Sequence, residues 1–116
     1  MKEMKFNKEE EYIICAAIWY KELPLKNGDI LLMRGNAPYN VDRGIVFSGW
    51  RHINCLRAMN AIYGLKQHEA GEEVQGFLTS KNIFVDRIEA AKIALNIKQI
   101  DKLNYSSKLL YSEDLY

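Results

Sequence analysis

Gly76-Phe77-Leu78-Thr79-Ser80-Lys81-Asn82-Ile83-Phe84-Val85-Asp86-Arg87-Ile88-Glu89-Ala90-Ala91 is the stretch on which the fold turns. Phe77, Thr79 and Ser80 lead into a polar turn at Ser80-Lys81-Asn82, and Ile83-Phe84-Val85 run out of it as the second arm of a tight β-hairpin. Asp86 then suits an N-cap, because its carboxylate can accept from the open amides of a first helical turn. Glu89 stands three residues on and completes a capping box, while Val85 and Ala90 are placed to form a hydrophobic staple. A polar turn beside a helix start, with Arg87 in the first turn, suits an anion such as a phosphate.

Upstream, Tyr12 to Tyr20 is a continuous apolar run rich in β-branched and aromatic residues, which predicts a strand buried on both faces. Pro24 and Asn27-Gly28-Asp29 mark turns, Ile30 to Met33 reads as a short strand or helical turn, and Gly35 to Asn40 as a loop. Gly44 to Gly49 predicts another strand. Trp50 to Tyr63 has helical periodicity, with Ile53, Leu56, Met59, Asn60 and Tyr63 near one face, Ser48 or Gly49 as N-cap and Gly64 as the left-handed C-terminal residue. His68 to Glu73 reads as a polar loop. A second helix is expected from Arg87 to Lys98, with Ala90, Ile93, Ala94 and Ile97 inward. The tail from Leu103 to Tyr116 is too apolar to hang free and is expected to dock as a strand or on another subunit. Two strand-then-helix units without a glycine-rich dinucleotide fingerprint predict an α+β fold: a mainly antiparallel sheet covered by two helices.

The 116 residues make one domain by length, and 16 basic against 15 acidic residues leave a net charge of +1. That balance argues against a dedicated duplex-DNA binder. No run approaches the ~18–20 apolar residues of a membrane span, and the charged first residues lack the apolar core of a signal peptide, so a cytoplasmic protein is expected. Cys15 and Cys55, each in an apolar segment, read as buried free thiols. With only His52 and His68 beside them, a zinc site has little support.

Ser48-Gly49-Trp50-Arg51-His52 is the second notable site. Gly49 permits close backbone approach, a planar base can stack on Trp50, the Arg51 fork can grip a phosphate, and His52 can donate a hydrogen bond. The alternative is that Trp50 belongs to the core, Arg51 is solvated and His52 is structural. His52 and Cys55 share one helix at a spacing that lets them meet, yet no third member completes a nucleophilic site. Binding is therefore expected rather than turnover.

Four blocks in order resemble the first type of phage Thoeris anti-defence proteins: Ile13-Ile14-Cys15-Ala16-Ala17-Ile18-Trp19-Tyr20, then Ser48 to His52, then Gly76 to Ala91, then Leu110-Tyr111-Ser112-Glu113-Asp114-Leu115-Tyr116. The likeness covers nearly the whole chain and is most specific in the hairpin-helix block. It implies a phage-encoded sponge that binds glycocyclic ADP-ribose, the messenger of bacterial TIR-domain defence enzymes, without cleaving it. Some members also sequester cyclic trinucleotides. The resemblance further implies one messenger-binding domain over residues 1–116, a homodimer or hexamer holding the messenger between subunits, no cofactor, and residence in the cytoplasm of the infected host. By the same resemblance Trp50 and Phe77 stack on the adenine, Arg51 and Arg87 grip phosphates, and Thr79, Asn82 and Asp86 read ribose hydroxyls. Two rival readings are a host-takeover protein that binds a host protein through its apolar tail, and a nucleotide-processing enzyme.

Overall fold

A computed structural model describes residues 10–24 and 37–116. The expected segments Asn27 to Asp29 and Ile30 to Met33, and the start of the Gly35 to Asn40 loop, lie outside the described residues. Strands β1 (Ile13–Tyr20), β2 (Ile45–Gly49), β3 (Glu73–Thr79) and β4 (Phe84–Asp86) form one sheet in the order β2-β1-β3-β4. Every neighbouring pair is antiparallel. Helices α1 (His52–Tyr63) and α2 (Arg87–Asn96) pack on the sheet, and a one-turn helix α3 (Ser112–Leu115) ends the described chain. The fold is the expected α+β architecture.

The central position of β1 follows from its unbroken apolar sequence. Ala16, Ile18 and Tyr20 face one layer with Phe47, Phe77, Cys55, Met59, Ala90, Ala91, Ala94 and Leu110. Ala17 faces the other with Val41 and Phe84, bordered by Trp19, Val46, Val74 and Leu78. Burial on both faces is thus realised, with one exception. The pairing shifts between Ile13 and Cys15, and Ile14 at this bulge is 47% exposed. Helix α1 lies over β2 and β1, while α2 lies over β3, β4 and β1. On the edge strand, the Asn40 side chain donates to the Phe84 carbonyl and accepts from the Phe84 amide, at 2.7 and 2.8 Å. It completes the ladder there as a further strand would.

The hairpin-helix block forms with its expected cap at Asp86, but of the expected capping box only the Asp86 half is made. The Asp86 carboxylate accepts from the Glu89 amide at 2.9 Å, and Asn82 takes the left-handed conformation at φ 57° in the turn. Gly76 has to be glycine, since a Cβ there would sit 2.0 Å from the Val85 carbonyl oxygen. The polar loop expected from His68 to Glu73 ends one residue early, because Glu73 already pairs with Tyr20. Helix α2 ends at Asn96, short of the expected Lys98; Ala90, Ala91 and Ala94 are buried on its inward face and Ile93 packs against the core beside them, as expected.

Helix α1 departs further from expectation. Its N-cap is Arg51, not Ser48 or Gly49, because those two residues remain in β2. The buried positions are Cys55 and Met59, whereas Ile53 is 50% exposed. Gly64 closes the helix as expected at φ 68°, its amide bonded to the Asn60 carbonyl. The tail docks as irregular chain ending in α3 rather than as a strand, with Leu110 and Ser112 buried.

Candidate functional site

Strand β2 delivers Trp50 and Arg51 to the mouth of α1. A Cβ on Gly49 would come 3.0 Å from the Asn54 Cβ, so the close approach that this glycine permits is that of the helix itself. The Arg51 amide donates to the Asn54 side chain at 2.9 Å. Trp50 is 60% exposed and does not belong to the core. Its ring lies 4.0 Å from that of Tyr116, tilted by 40°. The Tyr116 hydroxyl donates to the Trp50 carbonyl at 2.9 Å, and Arg51 Nη2 donates to the Tyr116 main-chain oxygen at 2.6 Å. The guanidinium carbon stands 5.4 Å from the Trp50 ring and 5.2 Å from the Tyr116 ring. Arg51 Nη1 is shut off from solvent with no hydrogen-bond partner among the described residues. A charged donor in that position invites an acceptor.

His52 and Phe77 turn inward. The His52 Nε2 atom bonds the Gly76 carbonyl at 2.8 Å, and its ring meets Phe77 edge-on at 5.1 Å. Burial pushes the imidazole below its ordinary value, only partly offset by the Gly76 bond. Phe77 is wholly buried, which corrects its expected place as a stacking ring: its alternation with Leu78 points it at the helix layer. His52 is likewise a structural donor here, and it does not meet Cys55, whose thiol faces the Ala16 carbonyl.

At the start of α2 the guanidinium is already spent on the protein. Arg87 Nη1 donates to the Leu110 carbonyl at 2.8 Å and Nη2 to the Gln75 side chain at 2.9 Å, with the Tyr111 ring 4.5 Å away. The Leu110 amide returns a bond to the Arg87 carbonyl at 3.0 Å. Arg87 thus clasps the tail to the sheet with both of its terminal nitrogens. Asp86 is exposed, its carboxylate engaged as a cap. Thr79 is buried, donating to Glu11 at 2.6 Å, and the Asn82 amide reaches the Ala37 carbonyl at 3.3 Å. These two hold the hairpin end, beyond the part of β3 that carries Gln75 and Gly76. The structure therefore gathers Trp50 and Arg51 around Tyr116, brings Arg87 near enough to His52 to feel its charge, and leaves Thr79 and Asn82 at the hairpin end.

The residues that sequence reasoning missed are Gln75, Tyr111 and Tyr116, each completing a contact of an expected site residue. The apolar tail was the one signal for the two tyrosines, since it had to dock somewhere, and Gln75 gave none.

A family model described as "Phage T4 y16D protein" matches residues 12–116. The chain belongs to this phage protein family. No curated protein and no solved structure matches it. The match gives the coarser part of what the resemblance implies, a phage protein.

The remaining reactive groups of this family member are quiet. Burial raises the Cys15 thiol above its ordinary value and pushes Cys55 up to about 11, so both are protonated at neutral pH and poor nucleophiles. Cys55 is buried as expected, but Cys15 is only half-buried, being next to the bulge. Among the described residues no cluster of His, Cys, Asp and Glu could hold a metal ion, and no helix is long and apolar enough to cross a membrane. A cleft of about 300 Å³ lies between Gln99–Lys102 and Asp114–Leu115, away from both helix starts in sequence and lined mainly by polar groups.

Proposed function

We propose that this phage protein is a sponge for an anionic nucleotide messenger, glycocyclic ADP-ribose above all and cyclic trinucleotides second, and that it holds the messenger without turning it over. The observation that carries the reading is Arg51: a guanidinium with one buried amine that has no partner among the described residues, set beside two aromatic rings at the surface. Phosphate oxygens complete the donor set of such a fork, and an adenine has Trp50 to lie against. The thiols are held protonated and His52 faces a backbone carbonyl, which favours retention over catalysis. Sequestration of this kind blocks Thoeris immunity and acts in the cytoplasm of the infected host.

The exposed Trp50 and Ile53, three residues apart in sequence, also favour a subunit contact, so the sponge is proposed to work as a homodimer or larger homo-oligomer. The same pair is the observation behind the second reading, a host-protein binder. Calorimetry with glycocyclic ADP-ribose, followed by heat release and chromatography, tests the proposal. Tight binding with the ligand recovered unchanged is the expected result. A hydrolysed ligand would turn the reading into an enzyme, and no heat of binding would leave the host-protein reading in its place.

A further inference from the structure

The two edges of the sheet are finished differently. At β4 the Asn40 side chain closes the ladder by bonding both main-chain polar groups of Phe84. At β2, the outermost strand on the other side, the main chain is bare. In an antiparallel ladder the polar groups of successive residues turn to opposite sides. The Lys21 amide donates to the Glu72 carbonyl, just ahead of β3, at 3.1 Å. By alternation Trp19 and Ala17 also bond toward β3, while Tyr20, Ile18 and Ala16 bond toward their β2 partners Ile45, Phe47 and Gly49. The N–H and C=O groups of Val46 and Ser48 therefore face away from the sheet and have no partner among the described residues. Ser48 is exposed, so a neighbour can reach this edge.

Charge decides what kind of neighbour fits. From Arg43 to His68 the chain carries Arg43, Arg51, Arg57 and Lys66 and no carboxylate, with Asp42 standing just ahead. That stretch is β2 and the helix α1 that lies over it. Arg43 and Arg57 are exposed, and neither is in an ion pair among the described residues. A second copy of the same edge would set like charges against each other. A nucleic acid has the right sign of charge but no peptide backbone to extend the ladder. An extended acidic peptide meets both demands, with its backbone on Val46 and Ser48 and its carboxylates toward the arginines.

We propose that the free edge of β2 is a docking site for an extended, acidic peptide segment of a partner protein, which adds to the sheet as a further strand. This goes beyond the sponge reading and does not rest on the Arg51 amine. Short peptides added to the unmodified protein test it: one of alternating glutamate and valine, one with lysine for glutamate, and the glutamate peptide N-methylated throughout, which keeps its charge but has no N–H to donate. Hydrogen exchange followed by NMR reads the Val46 and Ser48 amides individually. The glutamate peptide slows exchange at both about tenfold when about nine in ten edges are filled. Phe47, already bonded to β1, changes little, and the other two peptides leave Val46 and Ser48 as in the free protein. Arg43→Glu combined with Arg57→Glu transfers the preference to the lysine peptide. No protection by the glutamate peptide, equal protection by either control, or a double variant that still prefers glutamate overturns the proposal. So does protection in the free protein that rises with its concentration, which places a second copy on the edge, or protection of the same amides by a single-stranded oligonucleotide.

Discussion

The starts of α1 and α2 are built from the same parts and end in opposite states. Each follows a short strand, each carries an arginine at or next to its first residue, and each borders the segment from Leu110 to Tyr116. At α2 the polar groups are closed off: Asp86 caps the amides, and Arg87 is consumed by Gln75, Leu110 and Tyr111. At α1 there is no acidic cap, Trp50 is exposed, and Arg51 keeps an amine without a partner among the described residues. An arginine at a helix start is therefore not in itself an anion site. What decides is how far the rest of the chain has claimed its donors: both terminal nitrogens of Arg87 are bonded, whereas Arg51 gives one to Tyr116 and keeps one without a partner among the described residues.

The largest effect expected from breaking this contrast is on binding. Arg51→Ala should lower the affinity for glycocyclic ADP-ribose by about 2–5 kcal/mol, the range for removing one partner of a buried charged pair. It should change the denaturation midpoint little, and calorimetry beside urea unfolding reads both. Arg87→Ala should do the reverse. It leaves the Leu110 carbonyl and the Gln75 side chain without their donor, and about 2–4 kcal/mol of stability should be lost in urea unfolding. If Arg87→Ala instead cost affinity and spared stability, the assignment of one start to structure and the other to ligand would be backwards.

Asp86→Ala sharpens the comparison at a smaller scale. The loss of the bond to the Glu89 amide should destabilise by about 0.5–2 kcal/mol. An unchanged denaturation midpoint would show that this carboxylate does not cap α2. Acid should give the smallest effect. Since the folded state lowers the His52 pKa from 6.5, the unfolded chain binds the proton more readily. The contribution of His52 is then fully present above pH 6.5 and is lost as the pH falls from there through the lower folded value. The melting temperature should drop over that window, and less so in His52→Gln, whose amide can still donate to the Gly76 carbonyl. A slope identical in both proteins would place the sensitivity elsewhere.

Local chemistry alone determined much of the fold. The Asp86 cap, the left-handed Gly64, the turn at Asn82 and the two-faced burial of β1 all depend on residues within a few positions of one another, or on the period of one strand. Those features could be read before any tertiary contact was known. The helix N-cap at Arg51 could not, because it depends on β2 keeping Ser48 and Gly49 in its pairing with β1, a partner more than two dozen residues away. Nor could the fate of the site residues. Phe77 became core because the helix layer covers its face of β3, and Arg87 became a clasp because the tail passes over it. Arg51 and Tyr116 meet across 65 positions, and so only the folded sheet and its docked tail decided which helix start remained open. Side-chain type sets what a residue can bond, but packing decides which partner reaches it first.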